Sequence, residues 1–154
     1  MNTGNLINVL YIDDEVHNLN SFNAAFRRYF NIFTATSAFE GREILDKQLV
    51  HVILADQRMP GISGIEFLES IIPQHPDPIR ILLTGYEELK AVIDAINRGE
   101  VYRYIQKPWQ DDELKINIEK AFEIYLLRKE NRELINSLSE ANKQLKFLLR
   151  QSLL

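Results

Sequence analysis

At 154 residues and 45% hydrophobic, the chain holds one domain of ordinary size plus an appendage, and its apolar content excludes wholesale disorder. It has no cysteine, which excludes disulfides and thiolate metal sites and points to the cytoplasm. A net charge of −4 argues against bulk electrostatic binding to nucleic acid, and the short polar start from Met1 to Asn5 is neither a signal peptide nor a membrane span.

The charge is uneven along the chain. From Arg128 onward the balance is +3, which leaves −7 on residues 1–127. The basic tail reads as a solvated helix face rather than a nucleic-acid arm, because its charges are spread among acids and apolar residues. No membrane partner is expected.

In chain order, apolar runs of strand length alternate with longer segments of helical period. The strands are expected at Asn8–Ile12, Ile32–Ala35, Val50–Ala55, Arg80–Thr84 and Tyr102–Gln106. Helical patterns lie between them at Val16–Phe30, Phe39–Lys47, Ile65–Ile72 and Leu89–Arg98, then from Asp111 onward. The third and fourth strand runs are nearly continuous in apolar residues, as strands buried on both faces are. Pro60-Gly61, Pro73, Pro76, Pro78, Gly85, Gly99 and Pro108 break the chain where a βα repeat needs breaks. Five such alternations imply parallel strands joined by right-handed crossovers, with helices on both faces of one sheet.

In sheets of this kind the ligand crevice lies beyond the carboxyl ends of the strands. That rule selects Asp13-Asp14-Glu15, Asp56, Thr84-Gly85 and Lys107-Pro108. Carboxylates in the first turn would repel a phosphate, so a dinucleotide fold fits poorly. Asp13 and Asp14 alone could be a helix-capping pair; with Asp56 they make an oxygen donor set suited to Mg²⁺, which keeps several waters and uses few carboxylates. Moving a phosphoryl group onto such a cluster requires its charge to be offset by metal, ammonium and hydroxyl groups. Lys107 and Thr84 supply the last two, although each alone would read as a surface or structural residue.

Asp13-Asp14, Asp56 through Gly64, Thr84-Gly85 and Tyr104 through Pro108 together resemble the pattern of bacterial response-regulator receivers, over roughly residues 7–127. The resemblance implies an α/β flavodoxin-like (βα)5 sheet of order 2-1-3-4-5, extended here by a long C-terminal helix. It implies that Asp56 is the phosphoacceptor, attacking a phosphohistidine on a sensor histidine kinase as a carboxylate nucleophile. It further implies metal binding by Asp13, Asp14, Asp56 and the backbone carbonyl of Arg58. Thr84 would turn its hydroxyl onto the phosphoryl group, Lys107 would pair with the acids through a cis Lys107–Pro108 bond, and Tyr104 would be the aromatic switch. Tyr104 also reads as an aromatic that simply fills the core edge. Gly85 stands where alanine is frequent, and Ser63-Gly64 replaces an acid-glycine pair whose glycine makes the turn. Arg58 and Tyr86 are bulky and are expected to slow hydrolysis. The chain is similar to receivers attached to larger outputs, such as transcription activators or cyclic-dinucleotide phosphodiesterases.

Beyond the receiver, a heptad seam places Asn131, Leu138, Leu145 and Ser152 at a, and Leu127, Leu134, Ala141 and Leu148 at d. The expected division is therefore a receiver at 1–127 and a helical extension at 128–154, which forms a parallel homodimer through 127–152. A helix folded back on its own domain is the alternative, kept open by Ile135 and Leu149 at e. The chain reaches Leu154 without a helix-stop signal, so it is either a short natural regulator or one followed by an output domain. Two rival functions remain. A Mg²⁺-dependent phosphohydrolase would want a general acid two residues beyond Asp56, where Arg58 stands. A degenerate receiver that only docks partners would not need Asp13, Asp14, Asp56, Thr84 and Lys107 intact. The expected protein is a phosphoacceptor, which promotes its own phosphorylation and dephosphorylation rather than turning over a separate substrate.

Overall fold

The computed structural model describes residues 6–85 and 89–153. Five parallel strands, β1 (Asn8–Ile12), β2 (Asn31–Ala35), β3 (Val52–Asp56), β4 (Ile79–Thr84) and β5 (Arg103–Gln106), form one sheet in the order β2-β1-β3-β4-β5. Helices α1 (Val16–Phe26), α2 (Ala38–Lys47), α3 (Gly64–Ile71), α4 (Leu89–Asn97) and α5 (Asp111–Ser152) follow the strands in turn. This is the flavodoxin-like order implied by the resemblance.

Each sheet face carries its own core. Strand residues Val9, Tyr11, Leu54 and Ile81 point toward α1 and α5, where Phe22, Phe26, Leu114 and Ile118 meet them. The alternate residues Leu10, Ile12, Ile53 and Leu82 meet Leu45 of α2, Phe67 and Leu68 of α3, and Val92 of α4. With both faces covered, every residue of β3 and β4 is buried, which is why those runs are nearly unbroken in apolar residues. Arg80, inside β4, is the exception. Its guanidinium donates to the carbonyls of Glu100, Gly99, Pro76 and Pro78, so a buried cation is held by backbone acceptors.

Two boundaries, the end of α1 and the start of β3, differ from the sequence expectation by more than one residue. Helix α1 ends at Phe26 rather than Phe30, because the chain then turns to put Phe30 itself into the core against Phe26, with ring centroids 6.1 Å apart. Strand β3 begins at Val52 and runs through Asp56. Val50 and His51 precede it as a buried lead-in, and the His51 N–H donates to the Asn8 carbonyl at 2.9 Å.

The last helix is one continuous element. Leu114, Ile118, Ala121 and Tyr125 are buried on the domain, whereas every described residue from Leu126 onward is exposed. A single described ion pair, Arg132 with Asp77 at 2.7 Å, ties that part to the domain. Among the described residues, no helix is long and apolar enough to cross a membrane.

Where α5 leaves the domain, the His51 ring lies edge-on to Phe122 and Tyr125, each centroid 4.9 Å away. Its Nδ1 accepts the Asn8 N–H at 2.9 Å, which requires a neutral ring. Burial, with Lys129 nearby, holds the His51 pKa below its usual 6.5. The folded form therefore stays neutral where the unfolded chain takes a proton. The associated stability is present above about pH 6.5 and is lost as pH falls toward the folded pKa. Urea unfolding from pH 7.5 to 5 should show wild type losing stability relative to His51→Leu, with a slope of at most about 1.4 kcal/mol per pH unit. Parallel curves for the two proteins would refute this account.

Candidate functional site

The register Ile12↔Ala55 brings the carboxyl ends of β1 and β3 side by side, so the next residue on each, Asp13 and Asp56, meets the other. Asp14 follows in the β1–α1 turn. One carboxylate oxygen from each of Asp13, Asp14 and Asp56 lies within 4.8 Å of the other two. Asp13 and Asp56 are buried, and Asp14 is exposed. An all-oxygen set open on one side fits a hard divalent cation that retains waters, so these residues fit Mg²⁺.

Asp13 is held from three sides. Its Oδ1 accepts the Glu15 N–H at 2.9 Å, and its Oδ2 accepts the Tyr11 hydroxyl at 2.7 Å and the Asn18 amide at 2.9 Å. The first of these bonds orders the turn into α1, whose N-cap Glu15 makes no side-chain capping bond of its own. Asp13 thus serves the turn as well as the acid cluster. Burial first, then the bond to Asp13, pushes the Tyr11 pKa far above its ordinary value, so Tyr11 stays a donor. Neither Tyr11 nor Asn18 was singled out by sequence. The available signal was the strand period of two, which puts Tyr11 on the same face of β1 as Asp13.

Lys107 follows β5, and its backbone N–H donates to the Thr84 carbonyl at 2.8 Å. The Lys107–Pro108 peptide is cis, and the Lys107 ammonium pairs with Asp56 Oδ1. Thr84 ends β4, buried, with its hydroxyl donating to the Gly85 carbonyl at 3.1 Å. Beside it, Gly85 leaves open space, since a Cβ there would meet nothing within 4 Å. Tyr104 is half-buried on β5, opposite Leu82 and against the α2–α4 core. Arg58 is exposed in the β3–α3 loop, two residues past Asp56. The structure therefore gathers Asp13, Asp14, Asp56 and Lys107, with Thr84 adjacent. Tyr86 lies outside the described residues.

The β3–α3 loop is fixed by Gln57, whose Oε1 accepts the Ile65 N–H at 3.0 Å, and by a capping box between Ser63 and Glu66. Gly64 has a different role from the one expected. It takes no positive φ; that conformation belongs to Gly61, at φ 82°. Gly64 is needed for close approach, because a Cβ there would lie 2.5 Å from the Asp56 carbonyl oxygen.

Burial raises the Asp56 pKa; Lys107 opposes this, while Asp13 and Asp14 add to it. A raised folded pKa means that the stability contribution is present below the unfolded pKa and lost as pH rises through the folded value. In metal-free buffer at pH 7.5, Asp56→Asn should therefore have the higher midpoint of thermal unfolding, with the difference closing as pH falls through the carboxylate range. A lower midpoint for Asp56→Asn at pH 7.5 would contradict the charge argument.

Comparison with known proteins agrees with this geometry. Residues 9–119 match the family described as the response regulator receiver domain. The chain is 37% identical over 122 residues to the hydrogenase transcriptional regulatory protein HoxA of Bradyrhizobium diazoefficiens, covering 79% of this chain and 25% of that protein. It thus spans about a quarter of the length of the first curated relatives it matches. Among solved structures, a Rhodopirellula baltica protein described as an adenylate cyclase superposes with a TM-score of 0.81 at 29% identity, covering 84% of this chain and 96% of that one. A response regulator receiver domain protein from Clostridium thermocellum gives 0.74 at 30% identity, covering 79% and 98%. The chain belongs to the response regulator receiver domain family, the phosphoacceptor signalling module of two-component systems.

Proposed function

We propose that Asp56 is the phosphoacceptor of this receiver and that its change of charge resets the domain for an output. The reading rests on one observation: three carboxylates converge within 4.8 Å, and a lysine engages one oxygen of Asp56. In the proposed step, the Asp56 carboxylate attacks the phosphorus of a phosphohistidine on a sensor kinase. A P–O bond forms, the P–N bond breaks, and the imidazole leaves. Asp13, Asp14 and Asp56, with the Arg58 carbonyl, would hold Mg²⁺, whose charge offsets that of the phosphoryl oxygens. Lys107 moves its ammonium toward the new dianion, and Thr84 exchanges its bond to Gly85 for one to a phosphoryl oxygen. Tyr104, beside this strand end, follows Thr84 inward. Arg58, exposed two residues past Asp56, would obstruct the approach of water and slow hydrolysis.

Acyl phosphate with Mg²⁺ should add one phosphoryl mass to the chain. Chelation and Asp56→Asn should each abolish it, and Lys107→Ala, which removes the ammonium paired with Asp56, should slow uptake at a given Mg²⁺ concentration. Full uptake by Asp56→Asn would overturn the assignment.

We also propose a division at residue 127, with 1–127 the receiver and 128–154 an extension that pairs with a second copy in parallel register. The exposed seam supports this reading, since no described part of the domain covers it. Asn131 at a can bond to its own copy only across a parallel pair. Glu123 can meet Arg128 of the partner, an exposed pair contributing about 0–1 kcal/mol. The proposed setting is the cytoplasm, and any DNA binding would belong to an output domain downstream rather than to this acidic chain. In sedimentation, the full chain should be dimeric and a truncation at Lys129 predominantly monomeric. A monomeric full chain, phosphorylated or not, would eliminate the pairing.

A further inference from the structure

Tyr11 is a buried polar side chain that the proposed phosphoryl chemistry does not use. It sits on β1 with its whole side chain covered, and its ring meets Phe22 edge-on at a centroid distance of 4.9 Å. A valine or leucine would fill such a core position without a hydroxyl. Here the hydroxyl reaches Asp13 Oδ2 at 2.7 Å, and the half-buried Asn18 of α1 adds a second donor to the same oxygen at 2.9 Å. The Glu15 N–H occupies one place on Oδ1. A carboxylate offers about four acceptor sites. With both sites of Oδ2 filled and one of Oδ1 taken, the remaining one lies on Oδ1.

We propose that Tyr11 and Asn18 are positioning residues, a two-donor clamp on Asp13 Oδ2 that presents Oδ1 to the pocket and thereby sets its affinity for a divalent cation. The inference rests on the reading of the acid cluster as a Mg²⁺ site. Without the clamp, the Asp13 carboxylate could rotate away from the repulsion of Asp14 and Asp56, and the donor set would no longer be preformed. The two donors come from different elements, β1 and the first turn of α1, so the clamp also fixes the β1–α1 turn that carries Asp14. Loss of a hydrogen bond behind a metal ligand typically weakens metal binding about 10–100-fold.

The test is calorimetric titration of Mg²⁺ into the full chain for wild type, Tyr11→Phe and Asn18→Ala, with thermal unfolding of each in metal-free buffer. Tyr11→Phe keeps the ring against Phe22 and removes only the donor. It should fold and bind Mg²⁺ about 10–100-fold more weakly. Asn18→Ala should weaken binding in the same direction, and phosphorylation by acyl phosphate should recover in both variants when Mg²⁺ is raised to saturation. A purely structural role would lower the unfolding midpoint and leave the Mg²⁺ affinity unchanged, and that result overturns the clamp. If Tyr11→Phe does not fold, Asn18→Ala decides, since its half-buried helix position leaves the core intact; unchanged affinity there overturns the proposal as well. A wild-type chain that binds no Mg²⁺ overturns the reading of the pocket itself, which separates that failure from a failure of the clamp alone.

Discussion

Mutual repulsion among Asp13, Asp14 and Asp56 is the constraint around which the carboxyl edge of the sheet is arranged. Two unit charges 4.8 Å apart repel by about 3 kcal/mol at the effective dielectric of a protein surface, and here there are three such pairs. The topology makes the crowding unavoidable, because adjacent parallel strands β1 and β3 both end in aspartate at matched register. One lysine does not balance three carboxylates. The residual charge is met by oriented donors behind Asp13 and by the exposure of Asp14 to water. What remains is a concentration of negative charge held rigidly and open on one side, and a cation followed by a phosphoryl group would resolve it. The same balance accounts for the raised pKa of Asp56, where burial outweighs the pairing with Lys107.

Much of the fold was legible because its physics is local. Val52 to Ala55 and Ile81 to Leu83 are apolar without alternation, and only a strand covered on both faces calls for that. The acid cluster was legible through topology, since carboxyl strand ends converge whatever the side chains do. Arg80 was harder: its partners are four carbonyls from two loops, and backbone acceptors carry no sequence signature. Gly64 was assigned to a turn for a related reason. Its necessity comes from a 2.5 Å approach to the Asp56 carbonyl, a tertiary distance that no local pattern encodes. Tyr11 lay hidden in an apolar run, where an aromatic is taken for core unless its hydroxyl is followed to a partner. The end of α1 at Phe26 was set by the demand of Phe30 for the core, which overrode a helical pattern with no breaker in it.

Helix α5 joins the two ends of the molecule. It begins four residues after Lys107, at the edge that carries the acids, and runs back along the sheet. It leaves at the opposite end, where Tyr125 and Phe122 enclose His51 and Arg132 meets Asp77. Its buried first half, Leu114 to Tyr125, is anchored to the strands that carry the acids, while its second half is exposed and held, among the described residues, by the Arg132–Asp77 pair. A rigid element fixed at one end and exposed at the other converts a small change of seating into a larger displacement of its tip, which is the geometry a receiver would need to report on Asp56.

The exposed half cannot be explained by its own charges. Exposed ion pairs are worth about 0–1 kcal/mol each, too little to order a helix whose described tie to the domain is itself one such pair, Arg132 with Asp77. Its seam leucines are a different matter. Leu127, Leu134, Leu138, Leu145 and Leu148 are each more than half exposed. Full burial of one leucine stabilises by about 1.5–3 kcal/mol, so covering the remaining surface of five amounts to several kcal/mol per chain even after allowance for a compact unfolded state. The stretch from Leu127 to Ser152 extends about 39 Å at a rise of about 1.5 Å per residue. A surface that is long, narrow and spaced at alternating intervals of three and four matches another helix of the same period. In the proposed pairing, a second copy would supply that period in register, and Asn131 would then select the parallel arrangement over others that would bury the same leucines.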